Sequence, residues 1–165
     1  MTLDQVEHGS GVAVTGGGTL VPMRDALRMA RHAHHYLVVI DDAGRPLYLG
    51  RGKRIASPDQ RIVLHATDRG CTFPGCPQPG YHCQTHHAVT DWAAGGHTNI
   101  DQLTFVCDIH HALAGPTDLD WHTTKTTNTN PHPGRTYWIP PPHIDPTRRP
   151  RINHFHHPGE HLVPG

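Results

Sequence analysis

The sequence predicts a small α+β fold in which short helices and short strands are joined by many turns. Helical apolar patterns and β-branched segments both occur within its 165 residues, and no internal repeat is evident. Only 35% of the residues are apolar and 6% are aromatic, so the hydrophobic core must be small for this length. The 17 Gly and 16 Pro exceed average usage and indicate a backbone that is rich in loops.

Charge and hydropathy exclude several classes of protein. The formal net charge is +0 with His neutral, so global electrostatics alone indicate no partner. No apolar run approaches ~18 residues, which excludes a spanning helix and, with it, a membrane partner. The composition also excludes a coiled coil. Residues 1–10 lack the basic-then-apolar order of a secretory signal, and we therefore expect a cytoplasmic protein.

The first 68 residues divide into two predicted segments. Residues 1–18 are Gly-rich without an apolar period, which predicts a disordered stub. Residues 19–68 predict a helix–hairpin–helix segment, and its second helix begins at Ser57-Pro58-Asp59-Gln60 with a cap, a proline and a carboxylate. The other elements predicted here are a helix over 22–34 and strands over 36–40 and 46–49.

The remaining residues predict a central module that contains most of the sequence motifs, followed by a hairpin and a tail. Within 69–116 we expect a strand over 103–106 and a helix over 108–114 that ends at a Gly-Pro pair. Within 117–140 we expect a β-hairpin extension. Three consecutive prolines then stop any sheet, and 141–165 predicts an extended tail. The strands expected in the hairpin are 121–127 and 135–139.

The four cysteines have metal-ligand spacing. Cys71 and Cys76 form a C-x4-C knuckle around a Pro-Gly turn, and Cys107 and His110 form a C-x2-H pair. In a reducing cytosol such pairs favour a metal over a disulfide. The predicted ligands of one structural zinc are therefore Cys71, Cys76, Cys107 and His110. The alternative set replaces His110 by Cys83, which otherwise is a small buried side chain.

Two histidine doublets lie in the central module, His86-His87 and His110-His111. A zinc ion that fixes the two knuckles would draw these doublets together. One imidazole of each doublet could then hold a second metal, and the other imidazole of the first doublet could act as a base. This pattern is typical of a catalytic site, which needs a metal with open positions beside an unligated group that titrates near neutrality.

These motifs resemble a known family. His86-His87-Ala-Val, Gly95-Gly96, Gln102-Leu103 and Cys107-x-x-His110-His111 resemble the His-Asn-His (HNH) nuclease motif of the ββα-metal fold. The preceding Cys71–Cys76 knuckle resembles the zinc-stapled branch of that family. The likeness is strongest to actinobacterial, especially mycobacterial, repeat-element proteins, in which an HNH module follows a long helical domain of unknown function. It implies that 69–116 is the nuclease module and that 19–68 ends an upstream domain.

The resemblance implies a role for each histidine of the doublets. His86 and His111 would bind a catalytic divalent ion, by default Mg²⁺, although imidazoles also suit Mn²⁺, Ni²⁺ or Zn²⁺. His87 would be the general base that takes a proton from water, while His110 belongs to the structural zinc. The implied reaction is metal-assisted hydrolysis of DNA phosphodiester bonds.

Two positions depart from the family pattern. Gln102 stands where the family carries the central Asn, and Asn99, three residues earlier, is the candidate substitute. Gly115 stands one helical turn after His111, where many relatives carry a further His or Lys. The alternative to a nuclease is a zinc-stabilised nucleic-acid-binding module that has lost catalysis, or a mobile-element remnant.

The placement of cations predicts weak, salt-sensitive and sequence-tolerant nucleic-acid binding. No Lys or Arg occurs between Arg69 and Lys125, so phosphate contacts must come from the flanks. The upstream flank consists of Arg51, Lys53, Arg54, Arg61 and Arg69. The downstream flank consists of Lys125, Arg135, Arg148, Arg149 and Arg151.

Overall fold

The computed structural model describes residues 3–31, 55–91 and 94–161, and these form a mixed α+β fold, as predicted. The predicted strands 36–40 and 46–49 lie outside the described residues, as do Arg51, Lys53 and Arg54. The helices are α1 (Leu3–Glu7), α2 (Met23–Ala30), α3 (Pro58–Thr67) and α4 (Asp108–His111). The strands are β1 (Val12–Val14), β2 (Leu20–Pro22), β3 (Cys83–His87), β4 (Leu103–Cys107), β5 (His122–Lys125) and β6 (Thr136–Ile139).

The N-terminal segment is ordered, and the prediction of a disordered stub over 1–18 is wrong for its described residues. Strands β1 and β2 pair antiparallel, with Val12 opposite Pro22. The glycines make the turn between these strands: the Thr15 N–H donates to the Thr19 carbonyl at 2.9 Å, and Gly18 adopts a φ of 83°. A Gly-rich segment flanked by β-branched residues is a hairpin turn here rather than a flexible stub.

Helix α3 begins as its sequence predicts. The Ser57 side chain accepts from the Gln60 N–H at 3.2 Å, and the Gln60 side chain accepts from the Ser57 N–H at 2.9 Å, completing a capping box. Val63 and Leu64 are buried in the core beside β4. Asp68, which follows the helix, is also buried and accepts from the backbone N–H of Phe105 in β4. The predicted boundary at 68/69 therefore does not separate two packing units.

Strands β3 and β4 form an antiparallel pair that leads directly into α4. Cys83 lies opposite Cys107, and His87 lies opposite Leu103. All five residues of β4 are buried, because α3 and the later hairpin cover it. Helix α4 has a single turn and is shorter than the helix predicted over 108–114, since the chain turns back to pair with Trp121.

The predicted hairpin is confirmed as the antiparallel pair β5 and β6. Trp138 of β6 is fully buried, and its indole N–H donates to the Thr72 hydroxyl at 3.2 Å. The Thr136 hydroxyl donates to Thr104 at 2.8 Å, and the Thr104 hydroxyl contacts that of Thr72 at 3.0 Å. This buried hydroxyl network ties the hairpin to β4 and to the cysteine knuckle.

The tail folds back onto the module, so the predicted extended tail over 141–165 is wrong for its described residues. Arg151 and Trp138 exchange two backbone hydrogen bonds of 2.9 Å each. Asn153 is only 2% exposed, and the Glu160 carboxylate pairs with Arg135. The prolines do stop the sheet, but polar side chains that follow them dock the tail by binding buried groups.

Candidate metal centre and histidine cleft

The first cysteine pair lies in a tight turn. The Cys76 N–H donates to the Phe73 carbonyl at 3.0 Å, and Gly75 adopts a φ of 76°, a left-handed conformation that favours glycine. The second pair lies where β4 passes into α4, so Cys107 ends the strand and His110 belongs to the first turn of the helix. The pairing of β3 with β4 and the turn of the knuckle thus bring together ligands that are distant in the sequence.

Four side chains converge at this point, and they are the predicted Cys71, Cys76, Cys107 and His110. One ligand atom from each lies within 4.8 Å of the others. His110 Nδ1 lies 3.0 Å from Cys107 Sγ and 3.5 Å from Cys71 Sγ, close to the separation of about 3.5 Å that a tetrahedral zinc imposes. The predicted group is confirmed as a candidate metal-binding group, and its donor set of three thiols and one imidazole is consistent with zinc.

The surroundings of this group determine the orientation and the protonation of its side chains. The Phe73 ring stacks on His110 with centroids 3.9 Å apart, which fixes the imidazole plane. Burial lowers the pKa of His110 and raises that of Cys76 to about 12. The pKa of Cys71 is raised as well, first by a hydrogen bond with Cys83 and then by burial. These thiols would stay protonated without a cation, so metal binding must release protons.

Cys83 is outside the ligand group. It is buried, as predicted, and its thiol donates to the Pro79 carbonyl at 3.4 Å. Among the described residues, the convergent set contains His110 instead, so the alternative ligand set with Cys83 is wrong. Cys83 lies opposite Cys107, but its thiol bonds to a carbonyl of the preceding turn, whereas the His110 ring lies against the thiols of Cys71 and Cys107.

Sequence reasoning missed Asn153, which supports the knuckle from the tail. Its side-chain N–H groups donate to the carbonyls of Cys71 at 2.7 Å and Cys76 at 2.9 Å. Its side-chain oxygen accepts from the Gly75 N–H at 3.2 Å. A single Asn in a Pro- and His-rich segment gives no periodic or spacing signal, so no pattern in the sequence identifies it.

A cleft of about 360 Å³ opens beside the metal group, and three of the predicted site residues line it. They are His86 and His87 at the end of β3 and His111 at the end of α4. The full lining consists of Ile55, Ala56, Arg61, Cys83, Gln84, Thr85, His86, His87, Asp91 and His111. The structure therefore brings both doublets to one place, with His110 directed to the metal group and His111 to the cleft.

His86 and His111 meet edge to face with ring centroids 5.1 Å apart. The Nε2 of His86 contacts the Thr123 hydroxyl at 3.1 Å, and the Nδ1–H of His111 donates to the Gln84 side-chain oxygen at 3.0 Å. Holding one nitrogen of each ring fixes the ring orientation and directs the other nitrogen to a ligand, as in many metal-binding histidines. Burial, followed by the neighbouring histidines, lowers the pKa of His86 to about 4, so it is neutral at physiological pH.

His87 contacts a residue that the sequence did not single out. Its Nε2 lies 3.1 Å from the hydroxyl of Thr98, which is buried and whose carbonyl accepts from the Gln60 side chain. The predicted Asn99 and Gln102 do not line the cleft within the described part of the chain.

The two amide positions have other surroundings. Asn99 Oδ1 is buried without a hydrogen-bond partner among the residues described, and the Gln102 backbone carbonyl accepts from Ala88 at 2.7 Å. Neither side chain lines the described part of the cleft, and a role of Asn99 or Gln102 at the base stays a prediction. The backbone between the strands brings the hydroxyl of Thr98 to the His87 ring.

The predicted basic flanks are only partly at the surface. Arg61 lines the cleft, whereas Arg69 is exposed outside it and donates to the His156 carbonyl. Arg135 is buried against Glu160. Lys125 lines a separate cavity of about 50 Å³, where burial lowers its pKa. Two residues of the downstream arginine cluster form ion pairs: Arg148 with Asp118 and Arg151 with Asp145.

Only two of the five downstream cations, Arg135 and Lys125, are directed into the fold, whereas Arg149 is exposed, so the predicted nucleic-acid binding stays a prediction. Arg135 and Lys125 face carboxylates of the fold, which neutralise their charge and leave less positive charge for a phosphate backbone.

None of the helices among the described residues is long and apolar enough to cross a lipid bilayer.

Comparisons with known proteins extend these observations. Residues 1–68 match a family described as a domain of unknown function, DUF222. The uncharacterized protein Rv1128c of Mycobacterium tuberculosis is 48% identical over 162 residues, which cover 98% of this chain and 34% of that protein. The uncharacterized protein Mb1179c of Mycobacterium bovis is 48% identical over 161 residues, covering 98% and 33% respectively.

The chain thus spans about a third of the length of the curated relatives that it matches. No solved structure matches it. These relatives confirm the resemblance to mycobacterial proteins and to a domain of unknown function upstream of the central module. The resemblance to HNH nucleases stays a prediction.

Proposed function

We propose that the protein is a metal-dependent HNH-type endonuclease that hydrolyses DNA phosphodiester bonds. The observation that carries the proposal is the contact between the rings of His86 and His111, whose centroids lie 5.1 Å apart in a cleft that His87 also lines. The element order of two antiparallel strands followed at once by a helix, beside a group of three cysteines and a histidine, supports a zinc-stapled ββα module.

In this proposal each histidine of the cleft has its own task. His87, held at Nε2 by Thr98, accepts a proton from the attacking water. His86 and His111 would hold the catalytic ion through the nitrogens that Thr123 and Gln84 do not contact. When bound, the ion supplies positive charge for the phosphate oxygens and for the departing 3′ oxygen. Two imidazole donors favour Mn²⁺, Ni²⁺ or Zn²⁺ over Mg²⁺, which prefers oxygen ligands.

Nicking of supercoiled plasmid by the purified protein tests the proposal. We expect nicking with added Mn²⁺ and its loss in His87→Ala, without a change in the thermal unfolding temperature. The matched control is His97→Ala, because His97 is exposed and lies outside the cleft lining. An inactive wild type under all divalent ions, or a His87→Ala variant as active as the wild type, would refute the nuclease.

The second candidate is a zinc-stabilised nucleic-acid-binding module without catalysis. It is favoured by the absence of Asn99 and Gln102 from the lining of the cleft, as far as the structure describes it. Elemental analysis separates the two, since a nuclease should bind a second ion per chain when Mn²⁺ is added. A single ion that is unaffected by His111→Ala, together with DNA binding and no nicking, would favour the binding module.

A further inference from the structure

The cleft needs a permanent cation that its own segment of the chain does not provide. The three imidazoles come from residues 86–111, and no Lys or Arg occurs between Arg69 and Lys125. A phosphodiester is anionic at every physiological pH, and Asp91 adds a carboxylate to the cleft lining. Any cationic side chain that reaches this cleft must therefore come from an element outside the segment that carries the histidines.

Arg61 on α3 is a cation of that kind. It lines the same cleft as His86, His87 and His111. Its Nη2 donates to the Cys83 carbonyl at 3.1 Å, and its Nη1 donates to the Thr85 hydroxyl at 3.3 Å. These bonds lead from helix α3 to strand β3, so the guanidinium is held beside the strand that ends in the histidine doublet.

The anchoring leaves the guanidinium suited to an anion. Each terminal nitrogen carries two N–H groups, and each of the two bonds uses one of them. Its carbon also lies 5.2 Å from the centre of the Phe105 ring, a contact that stabilises the planar group. A fixed guanidinium fork loses little conformational entropy when it binds phosphate oxygens.

We propose that Arg61 is a phosphate-binding residue of the cleft and that its ligand is a phosphodiester group of the nucleic-acid backbone. The inference rests on the proposed function, which brings a phosphate to the imidazoles. Residue 61 lies within the residues that match the domain of unknown function, whereas the imidazoles lie beyond them. The site is thus composite: the matched segment supplies the cation, and the strand pair and α4 supply the histidines.

Binding of a fluorescein-labelled DNA duplex of about 20 base pairs, followed by anisotropy at several salt concentrations, tests this site. The full chain is used without added divalent ions, so binding is scored independently of cleavage. We expect Arg61→Gln to weaken binding about 10-fold and to reduce the slope of log K against log salt by about 0.9. Arg61→Lys should keep the slope, because it keeps the charge, and recover part of the affinity.

The control is Arg28→Gln, which removes the same charge from an exposed position on α2. A role of Arg61 in tying α3 to β3 alone would lower the unfolding temperature but leave the salt slope unchanged. Equal slopes for Arg61→Gln and Arg28→Gln, or a wild type that does not bind the duplex, would overturn the phosphate site. If the slope falls as expected while the wild type never nicks plasmid, the nuclease proposal fails and the phosphate site stands.

Discussion

The side chain of Asn153 donates to the carbonyl oxygen of Cys71 at 2.7 Å, across 82 positions of the sequence. The same amide group donates to the Cys76 carbonyl and accepts from the Gly75 N–H. One buried residue of the tail therefore satisfies backbone groups on both sides of the knuckle turn. The tail therefore supports the candidate metal-binding group, because it holds the backbone that positions two of the thiols.

Asn153→Ala should lower the free energy of unfolding by about 2–4 kcal/mol, because it leaves several backbone groups of the knuckle without a partner. Urea unfolding in the presence of zinc measures the change. The control is Asn130→Ala, in the loop of the hairpin, where the side chain accepts from the His132 N–H. If the two variants are equally stable, the tail does not support the knuckle.

The assignment of the four metal ligands leads to a separate prediction about metal content. Cys76→Ser should lose the bound zinc and most of the cooperative unfolding transition, since a structural zinc contributes directly to folding. Cys83→Ala should keep one zinc per chain, because Cys83 is buried beside the group without belonging to it. Elemental analysis of both purified variants checks this, and loss of zinc from Cys83→Ala would contradict the assigned ligands.

Features that depend on neighbouring residues could be predicted from the sequence. The capping box at Ser57, the knuckle at Cys71 and the hairpin of β5 and β6 are each specified within a few residues by caps, turns or alternation. The convergence of the four metal ligands could also be predicted, since a metal imposes fixed spacings on its ligands.

Features that depend on distant contacts could not be predicted in this way. Asn153 and Glu160 dock the tail through single polar contacts that no period or motif announces. Thr98 contacts His87 because of the path of the backbone between the strands, and no local pattern in the sequence predicts that path. The glycines at 16–18 could equally form a turn or a flexible stub, and only the pairing of β1 with β2 distinguishes the two.

The contact between Thr98 and His87 predicts an effect on the rate of cleavage. Thr98→Val removes the hydroxyl at 3.1 Å from the ring nitrogen while keeping the shape of the side chain and its backbone carbonyl. If His87 is the base, kcat for plasmid nicking should fall about 10-fold with little change in KM, because the imidazole loses its orientation. Thr126→Val is a suitable comparison, since Thr126 is also buried but lies outside the cleft lining, and its hydroxyl donates to the His132 carbonyl. Equal kcat values for Thr98→Val and the wild type would exclude a positioning role.

Stability should decrease on acidification, in part because of His157 in the docked tail. Burial lowers the pKa of His157 to about 4, from the usual histidine value near 6.5. Between these values the unfolded chain binds a proton that the folded chain does not, so the free energy of unfolding falls as the pH decreases from about 6.5 to about 4. Above about pH 6.5 this contribution is fully present. The Nε2–H of His157 donates to the Asp68 carbonyl, so protonation acts where the tail meets α3.

His157→Asn should reduce this loss by about 1 kcal/mol between pH 7.5 and pH 5.0, allowing for solvent screening. Urea midpoints of the wild type and the variant at the two pH values give the difference. Protonation of the metal ligands affects both proteins alike and cancels in the comparison. His97→Asn, at an exposed position, should show the full loss of the wild type. An identical pH dependence in all three proteins would show that His157 does not couple tail docking to protonation.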